Sequence, residues 1–284
     1  MTRVDQFESV FRSADKPLFP YQPHEYARVM LVTDLAPEPA AAYQGMLAEI
    51  LPPSAGSGGW LNISGERTRD LPAILDEIRG FGPDLVCTYR NLHSEAWRWP
   101  YSLGEAVDVL TQATGFPVLV LPHPEAGREH EHAMQNLDQV MALSDHLAGS
   151  AALVNAALGF AESSGKLWLA HVEDDADFER IMTAISKIPA IDTDLARESL
   201  MAQLLKEPHD YITTCRNAIG AAGSKVSVEE IVVASHRLEE CKRLVLEHKL
   251  DLVVMNTKDE DQLAMHGLAY PLAVELREVP LLLL

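Results

Sequence analysis

The sequence predicts an α/β fold of two doubly wound parallel-sheet domains in tandem, five-stranded in the second half and shortened in the first. Three observations carry that prediction. Short aliphatic runs alternate with segments of helical periodicity along most of the chain. One phrase is written twice: apolar strand, polar loop, amphipathic helix and closing apolar strand occupy Asp84 to Leu121 and again Asp251 to Leu284. Each half also opens on a strand that ends in an acid, Asp34 in the first and Asp145 in the second.

Residues 1–25 bring Pro17, Phe19, Pro20, Tyr21 and Pro23 together, which reads as an extended arm against the first domain, with a short helix near Val4 to Phe11. The first domain spans 26–122. Its first strand is Arg28 to Asp34, and Tyr43, Met46, Leu47 and Ile50 mark a helix face. Prolines 52 and 53 and glycines 56, 58 and 59 make a loop before the strand Trp60 to Ile63. Compared with the second half, one strand–helix step is missing between Ile50 and Trp60. A helix on Leu71, Ile74, Leu75 and Ile78 closes at Gly80 and Gly82. Ser102 and Glu105 have the spacing of a capping box ahead of Ala106, Val107 and Leu110. Phe116 to Leu121 is the last strand.

Residues 123–136 read as a polar linker, and the second domain spans 137–284. Its strands are Gln139 to Asp145, Lys166 to Val172, Val226 to Ala234, Leu252 to Met255 and Val279 to Leu284. Residues 175–222 read as helical, with breaks at Pro189 and Pro208.

Composition narrows the function. At 284 residues and 47% apolar, the chain can build two cores without staples. A formal charge of −19 repels phosphate backbones and anionic membrane faces, which argues against nucleic-acid and membrane partners. Cys87, Cys215 and Cys241 form no CxxC pair and lie in apolar runs, as suits a reducing cytoplasm. Met1 to Lys16 has no apolar signal core, and no stretch has the length of a membrane span, so a soluble cytoplasmic protein is expected.

In a doubly wound sheet a ligand sits beyond the carboxyl ends of the strands. That rule selects Asp34, Ser144 and Asp145, and the loops after Cys87 and Met255. Each acid can accept hydrogen bonds from a ligand or cap the helix that follows it. His123, His130 and His132 contain a His-x-His pair, but no acidic or sulfur ligand stands at a recognisable spacing, so no metal is expected. Ser235-His236 falls on the crevice side, with Ser235 read as a helix N-cap. No nucleophile elbow occurs, and no enzyme site is expected.

The order of these segments resembles the universal stress protein family. The resemblance rests on the strands ending at Asp34 and Asp145, on His171-Val172-Glu173, on Asp251 to Val254, and on Gly267 with Val279-Pro280-Leu281-Leu282. It covers roughly residues 26–284, as a tandem member. Nucleotide-binding members carry Gly-x2-Gly-x9-Gly-Ser/Thr, whose glycines let backbone N–H groups approach phosphate. Here only the last glycine of each motif remains, Gly104 and Gly267, followed by Glu105 and Leu268 rather than a hydroxyl. Lys258-Asp259-Glu260-Asp261 adds acids to the second loop.

The resemblance implies a cytoplasmic stress-response protein acting through protein partners, with no ATP held in the family manner. The alternative is an ATP or AMP switch using only the second domain, through Ser144, Asp145, Asn256 and Gly267; Asp34 is the weaker counterpart in the first. It also implies an intramolecular pseudo-dimer joined along Pro117 to Leu121 and Pro280 to Leu284, which can assemble into a homodimer. Tyr89, Trp97, Trp99 and Tyr101 cluster in the first domain's altered loop, where they can plug its pocket or form a contact patch; the plug is the preferred reading.

Overall fold

In a computed structural model of the chain, which describes residues 18–126, 132–144, 146–257 and 269–284, nine strands form one sheet. The strands are β1 (Arg28–Thr33), β2 (Gly59–Ser64), β3 (Leu85–Tyr89), β4 (Val118–Leu121), β5 (Gln139–Ser144), β6 (Lys166–Asp174), β7 (Ser227–Ser235), β8 (Leu252–Met255) and β9 (Leu281–Leu283). Their order across the sheet is β2-β1-β3-β4-β9-β8-β5-β6-β7. Every ladder is parallel except β4–β9, where Val118, Leu119 and Val120 face Leu283, Leu282 and Leu281 in antiparallel register. All seven residues of β4 and β9 are buried. Short apolar strands of this kind need a partner on each edge, and here each half covers the other's.

Among the described residues eight α-helices cover the two faces: α1 (Pro37–Ile50), α2 (Leu71–Phe81), α3 (Glu105–Ala113), α4 (Ala151–Phe160), α5 (Asp175–Ile185), α6 (Thr193–Ala221), α7 (Arg237–Glu247) and α8 (Ala269–Glu275). Alternation along the strands assigns the faces. Val29, Leu31, Cys87, Leu119, Val140, Leu169, Val254 and Leu282 pack under α1, α4 and α6. Met30, Val32, Val86, Val118, Met141, Val172, Val253 and Leu283 pack under α2, α3, α7 and α8.

The two halves share a local device. Asp84 accepts the backbone N–H of Arg28 at 2.7 Å, and Asp251 accepts that of Gln139 at 2.9 Å. Each acid thereby ties the strand it precedes to the first strand of its own half.

Several expectations change. The missing step does not lie between Ile50 and Trp60. β2 pairs with β1 as β6 pairs with β5, so the step lost from the first half is the equivalent of α6 and β7, and it falls between Ser64 and Leu71. The described part of the arm, residues 18–25, lies against the second half rather than the first. Gln22 and His24 donate backbone N–H bonds to Asn155 on α4, and Tyr26 reaches the Ala156 carbonyl. Phe19 meets Tyr211 of α6 edge-on at 6.5 Å, and Tyr26 packs on Phe160 at 4.4 Å. The expected helix near Val4 to Phe11 lies outside the described residues.

Pro208 does not break α6, which runs through it for 29 residues. Tyr211, Ile212, Cys215 and Ile219 anchor the following turns in the core, and their burial outweighs the lost hydrogen bond. The Ser102–Glu105 capping box does not form: Gly104 is the N-cap of α3, and the Ser102 hydroxyl donates to Asn91 instead.

Candidate functional site

The first-half crevice opens where β1 and β3 end. Asp34 follows β1 but does not cap α1, whose N-cap is Ala36. One of its carboxylate oxygens accepts the backbone N–H of His93 at 2.5 Å, and the other accepts the Tyr89 hydroxyl. The Tyr89 hydroxyl also lies 2.7 Å from the Thr33 hydroxyl. Burial, and then Asp34, push the Tyr89 phenol above its ordinary range, so it stays a neutral donor.

The loop after β3 is tightly folded. Asn91 and His93 both take left-handed backbone, at φ 57° and 59°. Asn91 holds the turn by donating to the carbonyls of Leu103 and Ser102, at 2.8 and 3.0 Å. A side chain at Gly104 (φ 89°) would place its first carbon 2.7 Å from the Asn91 α-carbon. The surviving glycine therefore admits another stretch of backbone to its side.

The aromatic residues divide. Trp97 stacks on His123 at 4.4 Å and 9°, and Tyr89 meets the same imidazole edge-on at 4.8 Å. His123 is buried rather than solvated, and that burial lowers its pKa. Trp99 and Tyr101 are 49% and 79% exposed, so they do not plug the crevice as expected.

Arg90, the residue directly after β3, belongs to no motif in the sequence. It is 2% exposed, and its guanidinium donates to the carbonyls of Ala273, Val274 and Leu276, at 2.8, 2.9 and 3.0 Å. A cation from the first half thus satisfies the last turn of α8 in the second. Burial, and then the charge of Arg277, bring its pKa down to about 10, leaving it charged near neutrality. The only available signal was a charged residue set directly against the buried run Leu85 to Tyr89.

In the second half, Ser144 ends β5 in a buried position and its hydroxyl accepts the His146 N–H at 3.0 Å. Asn256 is exposed just after β8. Asp145, Gly267 and Lys258 to Asp261 lie outside the described residues, so the structure brings together only part of that candidate site. Ser235 ends β7 and is not the N-cap of α7; His236 is, without a side-chain cap bond. His130 lies outside the described residues, and among those described no three metal-binding side chains cluster. No helix among them is long and apolar enough to cross a membrane.

No family model matches the sequence, and no curated protein does. Solved structures do. A protein of unknown function from Pseudomonas aeruginosa shares the fold at 12% identity and TM-score 0.50, over 91% of this chain and 92% of that one. A second, provisionally named a universal stress protein and also from Pseudomonas aeruginosa, has 13% identity and TM-score 0.49 over 91% and 93%. A universal stress protein from Archaeoglobus fulgidus has 13% identity and TM-score 0.46 over 92% and 98%. At these identities the likeness is one of fold.

Proposed function

We propose that the chain is a universal-stress-type protein of the cytoplasm that works through protein partners, is not an enzyme, and holds no ATP in the manner of the family's nucleotide-binding members. One observation carries the reading for the first half: both carboxylate oxygens of Asp34, the group a nucleoside would use there, are engaged by Tyr89 and His93. Tyr89, Trp97 and His123 then occupy the ground around it. The rim offers contact instead. Trp99, Tyr101 and Arg98 are residue types that dominate binding energy at interfaces, and they stand exposed on one loop. The charge of −19 turns that surface away from nucleic acid and anionic lipid. The tandem halves, joined through β4 and β9, act as a pseudo-dimer within one chain that can assemble into a homodimer.

A second reading, an ATP or AMP switch in the second half alone, draws on Asn256, which stands exposed just beyond β8. Thermal unfolding with millimolar ATP or AMP separates the two. The first reading predicts no stabilisation. Stabilisation that disappears in Asp145→Ala would replace it with the second.

A further inference from the structure

A cavity of about 150 Å³ opens at the seam between the halves, bounded by α1, the segment after β4 and the residues ahead of β9. It adjoins the Asp34 crevice, from which His123 and the Tyr43–Tyr89 contact divide it. Met46, Pro124 and Met134 give it apolar walls, while His123, Arg277 and Glu278 bring polar groups to it. An apolar cavity of this volume holds one benzene ring.

The polar groups are unequal. Burial lowers the His123 pKa, which favours the neutral imidazole, and its Nδ1 accepts the Glu125 N–H at 3.2 Å. Glu278 is already engaged within the protein. Arg277 is different: it donates one N–H to the Arg98 carbonyl at 2.8 Å and forms no ion pair among the described residues. Arg90 stands close enough for the two guanidinium charges to oppose each other, and Arg90 is bonded only to carbonyls. Neither guanidinium has a carboxylate partner among the described residues. A single negative charge beside Arg277 would relieve that repulsion. The overall negative charge opposes it only weakly, because salt screens exposed charges beyond roughly 8 Å.

The geometry points to a binding site for one small monocarboxylate at this seam, its acid group on Arg277 and an apolar body the size of a benzene ring against Met46, Pro124 and Met134. Glu278 on the same wall disfavours a second negative charge, so dicarboxylates and phosphates should bind more weakly than a monocarboxylate.

Benzoate is the probe, with benzylamine and benzyl alcohol as controls, added to the full chain while backbone amide shifts are followed by NMR. The site predicts saturable shifts at Met46, Met134 and Arg277 with benzoate, and binding at least tenfold weaker for both controls. Arg277→Met should weaken benzoate about tenfold, and Met46→Trp should abolish binding by filling the cavity. Because Arg277 also steadies the loop at Arg98, Arg277→Lys serves as a second variant and should retain part of the affinity. No saturable shift at tens of millimolar benzoate overturns the proposal. So does equal binding of either control, or unchanged binding in a folded Arg277→Met or Met46→Trp protein.

Discussion

The guanidinium of Arg90 lies 2.8 Å from the carbonyl oxygen of Ala273, 183 residues further along the chain. Two more carbonyls of the same helix end, Val274 and Leu276, complete its coordination. The side chain ties a first-half loop to a second-half helix, beside the seam already made by β4 and β9. Replacing Arg90 with Met leaves these carbonyls buried without donors, and urea unfolding should show a loss of roughly 3 kcal/mol. Arg90→Lys should recover less than half of it, because an ammonium cannot reproduce the planar fork. Equal stability of Arg90→Met and the parent would remove this tie from the account.

Gly104 distinguishes a glycine kept for packing from one kept for phosphate. At φ 89° and 2.7 Å from the Asn91 α-carbon, an added methyl group strains the loop against Asn91. Gly104→Ala should therefore cost about 1–3 kcal/mol in chemical denaturation and leave the response to ATP unchanged. A stable Gly104→Ala protein that lost a nucleotide response would assign the glycine to a ligand.

Gly159 gives a substitution whose sign opposes helix propensity. In an exposed helix, glycine to alanine gains roughly 1 kcal/mol. Here the new carbon would lie 2.2 Å from the His24 carbonyl oxygen and push the arm off α4. Gly159→Ala should lower the unfolding midpoint and open residues 18–27 to protease. Unchanged proteolysis there would show that the arm can shift without cost.

Asp251 sets the pH dependence. It is 2% exposed, and burial, reinforced by the carboxyl of Asp138, raises its pKa from the usual carboxylate range to about 7; the bond from the Gln139 N–H pulls the other way. Lys166, Lys249 and His248 line the same groove. The folded chain holds this proton more tightly than the unfolded chain does. Its contribution is complete below pH 4 and is lost as pH rises through 7, a fall of roughly 4 kcal/mol over the whole range and about 2–3 kcal/mol between pH 5 and pH 8. Urea midpoints at pH 5 and pH 8 should show that fall in the parent, and Asp251→Asn should flatten it. An identical slope in both proteins would place the titration elsewhere.

What could be read from the sequence was local. Val29 to Val32, Leu85 to Cys87 and Leu252 to Met255 declare themselves as strands because buried parallel strands are apolar on both faces. Ile74 and Ile78 declare a helix by their spacing. What could not be read depends on distant partners. Arg90 looks like a surface charge until the end of α8 is placed against it. The arm reads as extended from its prolines, but Asn155 and Gly159 decide where it lies. Asp34 offers a cap or a ligand contact, and only the left-handed turn at Asn91 and His93 delivers a backbone N–H to it. Pro208 reads as a break because its cost is local, whereas Tyr211 and Ile212 oppose that cost through burial in the core.

A chain that works without an adenine nucleotide should leave purification carrying none. Mass spectrometry of the small molecules released when the purified full chain is denatured tests it most directly. No ATP, ADP or AMP should appear in stoichiometric amount, while a small monocarboxylate can. Recovery of ATP or AMP in proportion to protein, lost in Asp145→Ala, would contradict it.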